Sequence, residues 1–236
     1  MNLILLFRED FIDDTNRVRL EGRRLTHVRE IHRAQMGNEL CVGILNGCIG
    51  AGRVTQLNPS VLEMEVLVEQ APPPKLPLTL ILALPRPKVL KRVLRAASSL
   101  GVQRIILLNS FRVEKSYWQS PVLSSQVLRE QLIIGLEQAK DTVLPEILLK
   151  PLFKPFVEDE LPGLIKGTFA LVAHPLASDP CPREIKLPVV LTIGPEGGFI
   201  TYEIDKLISC GFKPMQIGKR ILSVETAVPA LVSKLF

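Results

Sequence analysis

Two stretches in the last quarter of this 236-residue chain could bind a small ligand through backbone groups. The first is Ile193-Gly194-Pro195-Glu196-Gly197-Gly198-Phe199, which follows the apolar run Leu187 to Ile193. That run reads as a buried strand, and Thr201 as the cap of a helix beyond. A strand that stops at Gly-Pro-Glu-Gly-Gly exposes several backbone groups at its carboxyl end, where open α/β sheets place their ligands. The second is Ile217-Gly218-Lys219-Arg220-Ile221-Leu222-Ser223-Val224-Glu225-Thr226-Ala227. It repeats the device as a strand at Met215–Ile217, a tight loop and a helix from Glu225. Two such loops can form one pocket. The alternative is two strand-to-helix turns that need glycine for backbone reasons alone, and the presence of both loops counts against it.

The spacing also excludes two chemistries. A dinucleotide fingerprint needs glycines at its first, third and sixth places, but Glu196 and Phe199 hold the third and sixth. The phosphate loop of nucleoside triphosphatases needs Gly-Lys-Ser/Thr, and the chain has none.

Charge is concentrated locally. Residues 1–70 carry eight Lys and Arg against ten Asp and Glu, whereas residues 71–236 carry 21 against 14. Lys88, Lys91, Arg92 and Arg95 stand at helical steps that share one face, with Arg86 just before them. Val89, Leu90, Val93, Leu94 and Ala97 line the other face. Such a helix either presents a solvated face or binds phosphates, with an affinity that falls steeply with salt. Arg17, Arg19, Arg23, Arg24, Arg29 and Arg33 form a second cluster, opposed in that span only by Glu21 and Glu30. The planar arginine fork suits phosphate and base stacking, so the cluster is expected to contact RNA. His27 and His32 are five residues apart and lack the spacing of a helical metal pair. No metal site is expected.

These residues need elements to position them. The first 70 residues read as a β-rich module, with strands at Leu3–Phe7, Glu39–Leu45, Gly50–Leu57 and Leu62–Val68. Asn46-Gly47 marks a hairpin, and one helix runs over roughly Glu21–Gln35. A small barrel fits this order. Ala71 to Pro77 holds four prolines in seven residues, a stiff connector. From residue 78 to 236 strands alternate with helices, which predicts an α/β domain with a mostly parallel sheet covered by helices on both faces. Its strands are expected at Leu78–Leu84, Arg104–Leu108, Glu146–Leu149, Phe169–Ala173, Leu187–Ile193 and Met215–Ile217. Its helices are expected over Lys88–Leu100, from Pro121 to about Ala139, near Phe156, over Tyr202–Cys210 and from Glu225 to Phe236. Cys41, Cys48, Cys181 and Cys210 form no Cys-x-x-Cys pair and read as reduced thiols of a cytoplasmic protein. No apolar run approaches membrane-spanning length.

Together the two loops resemble the RsmE family of SPOUT-class methyltransferases, which modify N3 of a uridine in 16S ribosomal RNA. That family carries Gly-Pro-Glu-Gly-Gly-Phe and a later Leu-Gly-x-Arg-Ile-Leu-Arg-Thr-Glu-Thr-Ala. Upstream, Lys88 to Gly101, Glu137-Gln138 and Val143 to Ile147 are similar to further family segments. The chain departs from the pattern at Ser223-Val224, where the family usually has Arg-Thr, and at Ala139-Lys140-Asp141, where it usually has Ser-Gly-Arg.

The resemblance implies a PUA-like RNA-binding barrel over 1–70 and a SPOUT α/β domain over 78–236 with a carboxyl-terminal trefoil knot. It also implies a homodimer and S-adenosylmethionine as cofactor. The cofactor would meet Ala173, Ile193, Gly194, Pro195, Glu196, Gly197, Gly198, Ile217, Gly218, Ile221, Leu222, Ser223, Thr226 and Ala227, with His174 less directly involved. Arg86, Lys88, Lys91, Arg92, Arg95 and Arg220 would face RNA, as would Arg23, Arg24, Arg29 and Arg33. Glu225 would take the proton of uracil N3, or else serve only as a carboxylate favoured by the helix dipole. Arg8 would stabilise the uracil anion. Two other functions stay open: a non-catalytic RNA-binding assembly factor, and a ribose 2′-O-methyltransferase.

Overall fold

Alternation of apolar and polar residues decides the first sheet. In Arg17–Leu20 the valine and leucine are buried and the two arginines exposed, the period-two pattern of a strand with one wet face. The computed structural model describes residues 3–12 and 15–236. It has strands β1 (Ile4–Leu6), β2 (Arg17–Leu20), β3 (Glu39–Ile44), β4 (Ile49–Leu57) and β5 (Leu62–Gln70) in this region. They form a mixed sheet of order β1-β3-β4-β5-β2. β1 runs parallel to β3, and the remaining neighbours are antiparallel. β2 was absent from the sequence-based expectation because its two arginines interrupt any apolar run. The expected helix over Glu21–Gln35 is shorter: α1 (Gly22–His27) passes into a π-helical turn, Val28–His32. It stops at Arg33, whose φ of 48° is left-handed.

The arginines of β2 have a buried partner. Arg19 lies opposite Glu63 in the sheet and donates from Nε and Nη2 to Glu63 Oε1 at 3.0 and 2.7 Å, while Arg17 Nη2 reaches Oε2 at 3.0 Å. Glu63 is 5% exposed. The hydrogen bonds from Arg19 hold its carboxyl below the usual carboxylate range, against the opposing effect of burial. A carboxyl so lowered stabilises the fold above its ordinary pKa, and that contribution disappears as pH falls through the lowered value. Glu63→Gln is therefore expected to lower the unfolding midpoint near about pH 7, with the gap to the parent narrowing as pH falls through the lowered value. Calorimetric scans across an acid pH series test this; a gap that stays constant down the series would contradict it.

The described chain divides into two compact units. The first takes residues up to Pro74 together with Ile133–Leu144, and the second takes Lys75–Leu132 with Pro145–Phe236. The inclusion of residues 133–144 in the first unit has clear physical causes. Ile133 and Leu136 pack with Leu3, Leu5 and Ile49 in a second apolar cluster. Leu3 N donates to Glu137 O at 2.9 Å, and Asn46 N to Thr142 O at 2.8 Å. Thr142 Oγ1 donates to Gly47 O at 2.5 Å. A Cβ on Gly43 would lie 2.5 Å from Thr142 Cγ2, so that close approach requires glycine there. Lys140 takes a φ of 53°, the left-handed conformation that glycine adopts without cost. The family's Ser-Gly-Arg places its glycine at this position.

In the second unit the inner strands carry nearly continuous apolar runs, as expected when both faces of a parallel sheet are covered, and the two edge strands are less buried. The six are β6 (Leu76–Ala83), β7 (Val102–Leu108), β8 (Glu146–Lys150), β9 (Phe169–Ala173), β10 (Val189–Ile193) and β11 (Lys213–Met215). All pair in parallel in the order β11-β9-β10-β6-β7-β8. Leu76 and Pro77, expected in the connector, already belong to β6. Proline has no N–H to give to the ladder, and the β6–β7 register is irregular between Leu76 and Thr79.

The helices are α2 (Pro87–Ser99), α3 (Ser125–Ala139), the short α4 (Phe153–Pro155) and α5 (Leu161–Leu164) joined by a π-helical turn, α6 (Thr201–Ser209) and α7 (Val224–Leu235). Three expected boundaries move most. The strand expected from Leu187 begins at Val189, because Pro188 cannot donate to the ladder, and Leu187 is exposed. Pro121 opens only a 3-10 turn to Leu123, before α3. The strand expected at Met215–Ile217 ends at Met215, and Gln216 forms an isolated bridge with Pro180. Among the described residues no helix is long and apolar enough to cross a membrane.

Candidate active site

The strand order brings the two glycine loops to one end of the second unit's sheet. Ile193, the last residue of β10, lies beside Ala173, the last of β9. Ala173 lies in turn beside Met215, the last of β11. Both loops therefore leave the carboxyl edge with one strand between them, about 10 Å apart at two sheet spacings. On its other side β10 pairs with β6, Ile193 opposite Leu82. From β6 the chain builds outward through β7 and β8, whereas β9 and β11 lie on the far side of β10. The gap between β6 and β10 is thus where strand order reverses, the usual ligand crevice of an open α/β sheet.

The loop after β10 is braced from its neighbours. Gly198 N closes a turn onto Pro195 O at 2.8 Å, and Gly198 has a φ of 72°. Glu196 Oε1 accepts the backbone N–H of Arg86 at 3.0 Å, which ties the loop to the entry of α2. The Arg112 guanidinium, from the loop after β7, donates to Gly197 O. Buried Glu203 is the next brace. Its Oε1 accepts Phe111 N at 2.7 Å, and its Oε2 accepts Ile200 N at 3.0 Å. Thr201 is accordingly not the cap of α6; Ile200 holds that place and Glu203 makes the capping bond. Sequence reasoning missed Arg112 and Glu203. Arg112 follows a buried strand at the edge where ligands sit, and Glu203 stands three residues after the cap, a capping-box place.

The loop after β11 is more open. Gly218, Lys219, Arg220 and Ile221 are exposed, and Ile217 and Leu222 half-buried. An added Cβ at Gly218 would meet no atom of the chain within 4 Å, so packing does not demand glycine there. Close approach of a ligand to the backbone would. Ser223 precedes α7, and its hydroxyl lies 3.0 Å from that of Thr226. Glu225 stands in the first turn of α7, with Arg92 Nη1 4.0 Å from its Oε1. α7 packs on α2. His174 N continues the ladder to Met215 O at 2.9 Å.

The basic residues divide between the units. On α2, Leu90, Val93, Leu94 and Ala97 are buried, and Lys88, Lys91, Arg92 and Arg95 lie on the outward side, as their spacing requires. Arg95 Nε also donates to Gln131 Oε1 at 2.8 Å. Arg86 and Arg220 are exposed.

The first unit differs from the open basic face expected of it. Arg24 turns inward, donating to both oxygens of buried Asp10 and to Leu5 O, with its guanidinium over the Phe7 ring. Arg23 is paired with Glu137, and Arg29 reaches Pro59 O at 3.4 Å. Arg33 is exposed, as is Arg8 in the turn Arg8–Asp10. The His27 and His32 rings pack edge to face with centroids 4.9 Å apart.

Two glycine loops leaving one edge of a parallel sheet, with a basic helix in the same unit, place the chain among α/β proteins that bind a ligand at the carboxyl ends of their strands. The model of the RNA methyltransferase domain matches residues 72–235, and the chain belongs to that family. Among curated relatives, ribosomal RNA small subunit methyltransferase E of Treponema pallidum is 28% identical over 98% of this chain and 88% of its own length. The protein of the same name from Synechocystis is 27% identical over 93% and 72%. Two solved structures share the fold. One is the methyltransferase E of Neisseria gonorrhoeae bound to S-adenosyl methionine, with a TM-score of 0.76, 22% identity and coverage of 98% of this chain and 95% of that one. The other is a putative methyltransferase of Legionella pneumophila in complex with the same cofactor, at 0.73, 21%, 99% and 96%.

Proposed function

We propose that this chain transfers a methyl group from S-adenosylmethionine to N3 of a uridine in 16S ribosomal RNA. The observation that carries the proposal is the exit of both glycine loops from one sheet edge, flanking Ala173. The names of the curated relatives support the substrate.

The residues fit the cofactor by their chemistry. Backbone groups of Ile193, Gly194, Pro195, Ile217, Gly218, Ile221 and Leu222 would hold it, with Ala173 as a wall and Gly197 and Gly198 allowing close approach. Ser223, Thr226 and Ala227 would close the pocket at the start of α7. Glu196, already bonded to Arg86 N, acts by holding the loop. The cofactor supplies an electrophilic methyl group on a sulfonium. What the chain must add is orientation, exclusion of water and a proton acceptor. Orientation alone can contribute several kcal/mol of the roughly 7–11 that well-placed reactants gain. Uracil N3 carries a proton, and Glu225 is the group in our reading that receives it.

The same reading includes a trefoil knot in the second unit, a PUA-like character for the first, and a homodimer. α2, with Lys88, Lys91, Arg92 and Arg95, is its phosphate-binding element. The resemblance of the loops and the amphipathic pattern of α2 support these parts.

Nucleoside analysis of 16S RNA from cells with and without the gene tests the proposal. The expected result is loss of a uridine methylated on the base at N3. A methyl lost from ribose, or no loss at all, would refute it.

A further inference from the structure

A concavity of about 560 Å³ lies at the same edge of the sheet, outside the two glycine loops. It is formed by the loop after β7, the loop after β8 and the first turn of α6. Phe111, Trp118, Phe153 and Tyr202 give it aromatic walls, and Lys115 and Lys154 stand at it. The volume falls in the range of small-molecule sites.

Three observations point to its ligand. Phe111 has its backbone N–H fixed by Glu203, yet it is 79% exposed. An exposed ring on a fixed backbone is a platform for stacking. The Trp118 indole is oriented in turn by Nε1 donating to Asn109 Oδ1 at 2.9 Å. Ser110 is 4% exposed, lines the cleft, and its Oγ has no hydrogen-bond partner. A buried hydroxyl left unpaired is costly, and a polar ligand edge would satisfy it.

Charge argues the same way. Both carboxylate oxygens of Glu203 accept backbone N–H groups. Lys154 has only a 4.0 Å exposed pairing with Glu158, and Lys115 is exposed. The cleft thus combines flat apolar walls, an unmet hydroxyl and ammonium groups. One residue on from Phe111, Arg112 grips Gly197 of the first glycine loop, so cleft and crevice share a loop.

We propose that this cleft takes an unstacked nucleobase of the single-stranded RNA substrate, flanking the target, with its phosphate met by Lys115 and Lys154. The proposal rests on the RNA methyltransferase reading for its substrate class, but its test is separate. Trp118 is the only tryptophan of the chain, so its emission reports the cleft directly.

The full chain is titrated with a short single-stranded oligouridylate and with an RNA duplex of equal length. The expected result is saturable quenching by the single strand and none by the duplex. Phe111→Ala should weaken that binding by about 5- to 150-fold, the effect of one stacked base, and Phe111→Tyr should restore it. Calorimetric affinity for S-adenosylmethionine should stay unchanged in both variants. Single-stranded RNA that leaves the emission unaltered, or an unchanged curve for Phe111→Ala, would overturn the proposal. So would an apolar dye that stays bound in the cleft at saturating RNA, because it would assign the cleft to an apolar ligand. Failure of the parent chain to bind S-adenosylmethionine would instead refute the proposed function, whatever the quenching shows.

Discussion

Glu225→Gln should slow methyl transfer by about 10²–10⁴-fold, the range lost with a general base. Calorimetric affinity for S-adenosylmethionine should stay within about twofold, as expected for a group that acts in the transition state alone. Glutamine keeps the shape and the place in the first turn of α7 but cannot take a proton. Glu225 is half-buried, its side chain 32% exposed, and its nearest cation is Arg92 at 4.0 Å. That separation is too long for a tight ion pair, so the carboxylate stays available to a substrate proton. If its role were only to favour the helix dipole, the substitution would cost about 0.3–1 kcal/mol of stability and leave turnover at saturating substrate nearly intact. Single-turnover rates and binding titrations on one preparation separate the two roles. Equal losses in rate and affinity would remove Glu225 from the chemistry.

Gly218→Val should lower cofactor affinity by about 5- to 150-fold, the range that the roughly 1–3 kcal/mol cost of overfilling a packed contact gives. The unfolding midpoint should remain that of the parent. The reason lies in the contrast between two glycines. Gly198 has a φ of 72°, so a β-branched residue there would strain the backbone itself. Gly218 has no such angle, and a Cβ there meets nothing in the chain. A side chain at 218 can therefore be accommodated by the folded protein and opposes only what approaches from outside. Calorimetric titration and a thermal scan of the variant give both quantities. Unimpaired binding would place the cofactor elsewhere than the loop after β11.

Much of the frame was legible because its signals are local. The apolar runs that became β6, β7, β9 and β10 are too short for core helices and rich in Val, Ile and Leu, which favours buried strands, and the cations of α2 repeat at helical spacing. The two glycine loops could be recognised one at a time. What sequence could not supply were pairings between distant residues. Arg112 with Gly197, Phe111 with Glu203 and Arg86 with Glu196 each join segments some 85 to 110 residues apart, and no periodicity encodes them. The inward turn of Arg24 was hidden for a similar reason. An arginine beside other arginines reads as surface until the buried carboxylate of Asp10 is found next to it. The cleft of Phe111 and Trp118 also went unforeseen, because scattered aromatics carry no spacing rule.

The membership of Ile133–Leu144 in the first unit bears on the order of events during synthesis. Segments up to Pro74 leave the ribosome early, and the mixed sheet can pair at once. Its second apolar cluster must wait for Ile133 and Leu136, and Asn46 for Thr142, roughly seventy residues later. At about 5–20 residues per second, that interval is on the order of 4–14 s. Throughout it Leu3, Leu5 and Ile49 lack their covering helix. The nascent chain thus carries a greasy, half-finished face for several seconds, which is long enough for a chaperone to meet it.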